Sequence, residues 1–290
     1  MSVLSSTAVC IVEGDRVLYE NYGRWHSTGV PVLWASVSKL ITGAAIRSLI
    51  KQRVIQHDQP VSEILGYGSA SFTIRSLVEH SSGLVRVLPE QEKDYISPYD
   101  GCTSERFDHQ VGGRIPDLLS EASGYSNLGY AILARAIETV TQQPLLVALR
   151  DLVMTPLSLD GALLKSADCT PNVVSALSLR GSHLKDWTVT GPWVGAGGLT
   201  TTLTTMAAIL SRSTDPGDVL DPRLPPSPWH GMAPVFNHDG ALLRSGSLVL
   251  KVVGSGRIAV AHAVGGPTGT ANVLAASAVK TAVRKLRRWS

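Results

Sequence analysis

Residues Thr7 to Val12 and Arg16 to Tyr22 are two β-prone runs on either side of Glu13-Gly14-Asp15, a triplet suited to a tight reversal, and together they predict a hairpin. The same pattern recurs near the other end, where Ser247 to Val253 and Arg257 to Val264 flank Gly254-Ser255-Gly256. Both chain ends therefore supply strands. Between them the period changes. Val37, Leu40, Ile41, Ala44, Ala45 and Ser48 recur at helical spacing on a helix that opens at Ser36, with a lining apolar enough for burial. Further helices are predicted over Ile74 to His80, Leu128 to Val140, Leu145 to Leu152, Leu203 to Leu210 and Ala271 to Arg287. Prolines and glycines crowd Arg86 to Pro116 and Asp215 to Pro234, which read as loops or lids.

These elements imply an α/β chain of the α+β type, with a central, mainly antiparallel sheet formed by both chain ends and flanked by helices, plus a mostly helical lobe. One domain is expected over 1–290. In it 1–35 and about 235–290 form the α/β lobe, and about 36–234 form the helical lobe with its loops. A length of 290 residues suits two interleaved lobes sharing a large core. No internal repeat or low-complexity tract is present.

Composition narrows the function classes. Hydrophobic residues at 44% and charged residues at 17% argue against disorder, and no apolar run is long enough to cross a bilayer. The net charge of +3 comes largely from Lys280, Arg284, Lys285, Arg287 and Arg288. Cations suit a helix C-terminus, and no aromatic-basic interleaving accompanies them, so neither nucleic acid nor membrane is expected as a partner. Cys10, Cys102 and Cys169 are too few and too scattered for a disulfide framework or a metal-ligand pair. They fit a reducing compartment. Because Met1 to Val12 does not show the basic, apolar and small-residue order of a secretory signal, a cytoplasmic location is expected.

Candidate chemistry starts at Ser36-Val37-Ser38-Lys39. A helix places a residue and its third successor on one face, which brings a hydroxyl beside an amine. Desolvation among Trp34, Leu40 and Ile41 would lower the amine's pKa and make it a usable base. A serine in the first helical turn also sits among unpaired backbone N–H groups that can stabilise an oxyanion. The spacing recurs at Ser48/Lys51, Ser182/Lys185 and Ser277/Lys280, and a plain N-cap is the bland alternative for Ser36. Ser36 is preferred because it opens a buried helix directly after the N-terminal hairpin.

A second element is Tyr125-Ser126-Asn127, on a loop leading into a helix. Its phenol can relay a proton if a cation such as Lys39 lies close, and Asn127 can orient Lys39 or a substrate amide. Read alone, a tyrosine at position 125 is more often a packed core residue than a catalyst. A third is His238-Asp239-Gly240, before the C-terminal hairpin. A glycine there lets a substrate carbonyl approach the backbone, and the N–H of Ala241 would be a second oxyanion donor. Read alone, a histidine such as His238 is more often a satisfied structural residue or a surface one.

Ser-x-x-Lys, Tyr-x-Asn and His-x-Gly in this order resemble the serine β-lactamase and penicillin-binding-protein superfamily, on its class C and esterase branch. The likeness runs roughly from Ala8 to Gly266 and is supported by Asp58-Gln59-Pro60-Val61, by Thr73 to Leu84, and by Gly195-Ala196-Gly197-Gly198-Leu199. It implies a β-lactamase/transpeptidase-like fold. It also implies that Ser36 is the nucleophile, that Lys39 and Tyr125 shuttle its proton, and that Asn127 orients them. Gly240 and Ala241 would lie on the strand lining the substrate, with the N–H groups of Ser36 and Ala241 as oxyanion hole. Neither cofactor nor metal is implied.

His238 stands where many lactamases place a lysine. A mostly neutral imidazole offers no fixed cation to a β-lactam carboxylate, which weakens an antibiotic-hydrolase reading. The leading expectation is an esterase, amidase or transacylase taking a small-molecule acyl donor, with water, an amine or an alcohol as acceptor. Acyl transfer in a natural-product pathway fits the same pattern. A β-lactamase or D,D-peptidase is the alternative, and a catalytically silent ligand-binding homologue the second. No Gly-x-Ser-x-Gly elbow or complete dinucleotide fingerprint is present. The sequence leaves the acyl donor, the acceptor and the oligomeric state open.

Overall fold

The computed structural model describes residues 5–68, 70–94, 98–120, 124–159, 164–167, 173–174, 188–212, 219–265 and 270–289. Strand β1 (Ser5–Glu13) turns through Gly14, at φ +58°, into β2 (Arg16–Tyr22). A short β3 (Val32–Leu33) leads into a 3₁₀ turn, Ala35–Val37, and then α1 (Ser38–Lys51). The helices α2 (Ser62–Leu65), α3 (Ile74–Val78), α4 (Ser104–Val111), α5 (Asn127–Thr141) and α6 (Leu145–Leu149) follow. After α6 a π-helical turn, Arg150–Met154, carries the chain on. Next come β4 (Lys165–Ser166), α7 (Val194–Gly197), β5 (Leu199–Thr201) and α8 (Leu203–Ser211). The chain ends with β6 (His230–Met232), β7 (Val235–Ala241), β8 (Ser245–Val252), β9 (Arg257–Gly265) and α9 (Ala271–Trp289).

The main sheet has the antiparallel order β2-β1-β9-β8-β7-β6, so the two predicted hairpins meet through β1 and β9. Seven consecutive residues of β1 are buried because both faces are covered. Val9 and Ile11 pack with Ala259, Ala261 and Ala263 under Ala271, Ala275 and Val279 of α9. Ala8, Cys10 and Val12 face the opposite way, into the core shared with α1, α5 and α8. The alanines of β9 and α9 let the helix lie close on the sheet, which explains why a run with little alternation is still a strand. A second sheet, β3-β5-β4, sits beside the nucleophile candidate's turn.

Three local expectations are corrected. The helix predicted to open at Ser36 begins at Ser38, and Ser36 lies in the preceding 3₁₀ turn. The segment read as loop over Arg86 to Pro116 contains α4, whose N-cap Thr103 accepts from Arg106 N–H and whose Phe107 and Val111 are buried. Eight residues with two apolar anchors give too weak a period to stand out between glycines. The segment Asp215 to Pro234 contains β6, a three-residue strand with an exposed face and no alternation to detect. Among the described residues no helix is long and apolar enough to cross a membrane.

Candidate active site

The backbone ahead of Ser36 is pinned. Trp34, fully buried, donates its N–H to Leu199 O at 3.0 Å and its indole N–H to Thr201 O at 3.2 Å, and its carbonyl accepts from Ser247 Oγ at 2.7 Å. Ala35 is then held at φ +48°, a left-handed conformation that costs a non-glycine residue about 1–2 kcal/mol. That turn sets Ser36 at the mouth of α1. The first residue of α1 is preceded by Val37 with no side-chain cap, so the Ser36 hydroxyl is not a helix cap.

Lys39 is fully buried on α1. Its Nζ lies 3.1 Å from Ser36 Oγ, 2.9 Å from Asn127 Oδ1 and 2.5 Å from Ala196 O. Burial holds its pKa well below the ordinary lysine value, and the Arg86 charge pushes it further the same way. Asn127 is itself oriented, because its Nδ2 donates to the Tyr99 phenol at 3.1 Å and so leaves Oδ1 for Lys39. The consequence is directional. A neutral amine has two N–H bonds to give, and the two acceptors without protons, Asn127 Oδ1 and Ala196 O, take them. In that neutral form the remaining lone pair faces the Ser36 hydroxyl.

Tyr125 lies just before α5 with its phenol near the Ser36 side chain. Lys39 Nζ lies 4.9 Å from the centre of its ring, and Arg86 stands 5.2 Å from the same ring. Burial pushes the phenol up to about 12, with Ser36 and Arg86 pulling the other way. It is therefore a protonated group at neutral pH. His80 supports it from behind: its Nδ1 accepts from Ser126 N–H at 3.1 Å, and its ring packs 4.4 Å from Tyr125.

The glycine-rich Gly195 to Leu199 stretch has a packing reason. A Cβ on Gly195 would stand 2.7 Å from Ala134 Cβ and 3.1 Å from Thr42 Oγ1, so glycine lets α7 settle between α1 and α5. Thr42 Oγ1 donates to Gly195 O at 2.8 Å, and the next carbonyl, Ala196 O, reaches Lys39.

On β7, a Cβ at Gly240 would stand 2.5 Å from Trp34 O and 2.9 Å from Ser36 N. Only glycine permits that approach. The register pairs Ala241 with Gly246, one step before the Leu242 N–H bond to Ser245 O that closes the hairpin. Alternation of the antiparallel ladder then turns the Ala241 N–H away from β8. β6 pairs only with Val235 to Asn237, so that edge is not covered by β6. His238, buried, hydrogen-bonds through Nδ1 to Pro228 O at 2.8 Å and stacks on the exposed His230 with ring centres 5.0 Å apart. Burial, with the Lys39 and His230 charges, lowers its pKa to about 3.

Ser36 and Asn127 are thus joined through Lys39 Nζ, with Tyr125 beside Ser36, Gly240 against the same turn, and His238 and Ala241 on the same strand. The Beta-lactamase family model matches residues 3–272. The chain belongs to that family. Solved structures agree on the fold. A β-lactamase/D-alanine carboxypeptidase from Yersinia pestis complexed with citrate is 18% identical, with a TM-score of 0.75 over 98% of this chain and 93% of that one. A penicillin-binding protein from Bacillus halodurans is 17% identical, with a TM-score of 0.73 over 94% of each chain. SurE is 17% identical, with a TM-score of 0.72 over 98% of this chain and 71% of that one. No curated protein sequence matches the chain. The architecture is accordingly the β-lactamase/transpeptidase-like α+β fold.

The family motifs do not disclose Arg86, Tyr99 and His230. Arg86 stands two residues after the Ser81-Ser82-Gly83-Leu84 landmark, and its carbonyl accepts the first N–H groups of α5, from Asn127 at 2.8 Å and Leu128 at 3.1 Å. That adjacency was the available signal. Tyr99, stacked on Trp193 at 4.9 Å, sits in irregular chain where spacing carries no information.

Proposed function

We propose that this chain is a serine acyl-transfer enzyme, acting as an esterase, amidase or transacylase on a small uncharged ester or amide. The observation that supports it is the hold on Lys39, which leaves a neutral amine with its lone pair on the Ser36 hydroxyl. Ser36 Oγ attacks the carbonyl as its proton passes to Lys39 Nζ. The oxyanion is met by the N–H groups of Ser36 and Ala241. Tyr125, protonated at rest, gives its proton to the leaving alcohol or amine, and the proton that Lys39 took from Ser36 replaces it. The acyl C–O or C–N bond breaks as the Ser36 ester forms. Water, an amine or an alcohol then reverses these proton movements and carries the acyl group away.

The buried neutral His238 supports uncharged substrates over β-lactams, since it supplies no cation for a carboxylate. Intact mass spectrometry after exposure to a fluorophosphonate, simple esters and β-lactams tests the reading. The expected result is a single adduct on Ser36 from the fluorophosphonate and esters, absent in Ser36→Ala. No adduct on the wild type, or one that persists in Ser36→Ala, would remove the nucleophile assignment. Adducts from β-lactams alone would overturn the substrate class.

A further inference from the structure

Side chains on a strand alternate, so His238 and Gly240 share one face of β7. At Gly240 that face meets the Ser36 turn, 2.9 Å from the Ser36 nitrogen to a Cβ built there. The imidazole of His238 therefore stands on the nucleophile's side of the strand, 1% exposed, within range of the Lys39 charge. Its Nδ1 is 2.8 Å from Pro228 O. A carbonyl oxygen carries no proton, so the proton of this bond belongs to Nδ1. Burial keeps the ring neutral, and a neutral ring protonated at Nδ1 has a bare lone pair at Nε2. That Nε2 is buried and has no partner.

The carbonyl that fixes the tautomer is itself fixed. Pro228 packs on α1 where glycine leaves room, with a Cβ at Gly43 coming 2.8 Å from its Cγ. The chain just before it is gripped by Arg47 of α1, which donates to the carbonyls of Val219, Asp221, Leu224 and Pro226. The ring cannot exchange its two nitrogens without breaking the Pro228 bond. An unpartnered buried acceptor has lost its water and gained nothing for it, a loss that a ligand donor would recover.

We infer that His238 Nε2 is a substrate-reading acceptor, selecting acyl groups that present a hydroxyl or N–H to it and disfavouring those that present a carboxylate. This rests on the acyl-enzyme reading above. A carboxylate has no proton to give at neutral pH and would set its own lone pairs against that of Nε2. A hydroxyl or amide N–H on the acyl portion stays beside His238 through both half-reactions, because the acyl group remains bonded to Ser36.

The test uses p-nitrophenyl esters of hexanoate, of 2-, 3- and 6-hydroxyhexanoate, and of adipate. At least one hydroxy ester is expected to exceed hexanoate in kcat/KM by about tenfold or more, with adipate below hexanoate. In His238→Phe the hydroxyl advantage should vanish, and in His238→Lys adipate should overtake hexanoate. Wild type that treats all hydroxy esters like hexanoate, or prefers adipate, overturns the inference, as does a hydroxyl preference that survives in His238→Phe. Ring ¹⁵N shifts of His238 in the wild-type protein at neutral pH check the tautomer without any variant. A proton on Nδ1 and a bare Nε2 are expected, and the reverse overturns the inference. Failure of hexanoate to acylate Ser36 would sink the acyl-enzyme reading itself, whereas acylation without discrimination sinks only the role of His238.

Discussion

A lysine with no access to water loses the solvation that favours its charge, and at Lys39 the structure adds a second cation nearby instead of a carboxylate. Both effects favour the neutral amine, and burial is the larger. In the proposed mechanism the neutral form is the base, so kcat/KM should climb as pH rises through a pKa well under the usual lysine value and then level off. Arg86→Gln removes the lesser cause, so its acidic limb should move to higher pH by under about one unit. A limb that stays put, or moves down, would detach Arg86 from Lys39. Tyr99→Phe isolates a different contact, since it withdraws the acceptor that turns the Asn127 amide. Its kcat should fall by about tenfold or more while KM changes little, because the loss concerns the direction of the Lys39 lone pair. The sequence made Ser36, Lys39, Tyr125 and Asn127 legible through spacing and order. Tyr99 and Arg86 act through orientation and charge across loops, and neither property leaves a period or a motif.

At the scale of elements, the two hairpins were legible from β-prone runs flanking glycine turns and the long helices from their helical period, and α5 and β9 fall within two residues of their predicted limits. What the pattern could not show was the work of short pieces: the left-handed Ala35 ahead of Ser36, the α4 helix, and the stretch before β6 that Arg47 grips. That grip is a strong claim about stability. Arg47 is 6% exposed and satisfies four carbonyls of otherwise irregular chain, so Arg47→Met should cost about 2–5 kcal/mol, read as a lower urea midpoint. A midpoint within about 0.5 kcal/mol of wild type would mean that the segment holds itself. Gly240→Val makes the complementary case. Its side chain must displace the Trp34 carbonyl and the Ser36 amide, both closer than 3.0 Å to the new Cβ, so fluorophosphonate labelling of Ser36 should drop by about 100-fold or more in a protein that still folds.

For the molecule as a whole, folding depends on joining the two chain ends through β1 and β9, and a buried hydrogen-bonded chain crosses that junction. Ser6 Oγ meets His26 Nδ1 at 2.8 Å, His26 Nε2 meets His262 Nδ1 at 3.0 Å, and His262 Nε2 meets Ser245 Oγ at 2.9 Å. The His26–His262 contact holds one proton between two nitrogens. A second proton would set two N–H groups against each other, and burial already lowers the pKa of His26 to about 4 and that of His262 well below its ordinary value. The unfolded chain has no such restraint and takes up these protons near pH 6.5. Between that pH and about 4 it binds more protons than the native protein, so stability must fall as the pH is lowered through this window and be fully present above it. His238, with its pKa at about 3, adds to the same slope. Urea midpoints at pH 7.5 and 5.0 should therefore differ clearly in the wild type and much less in a His26→Phe/His262→Phe protein, whose two rings have no proton to accept. Equal pH sensitivity in the two proteins would place the acid-labile groups elsewhere, because the only titratable groups changed are the pair at the junction of the chain ends.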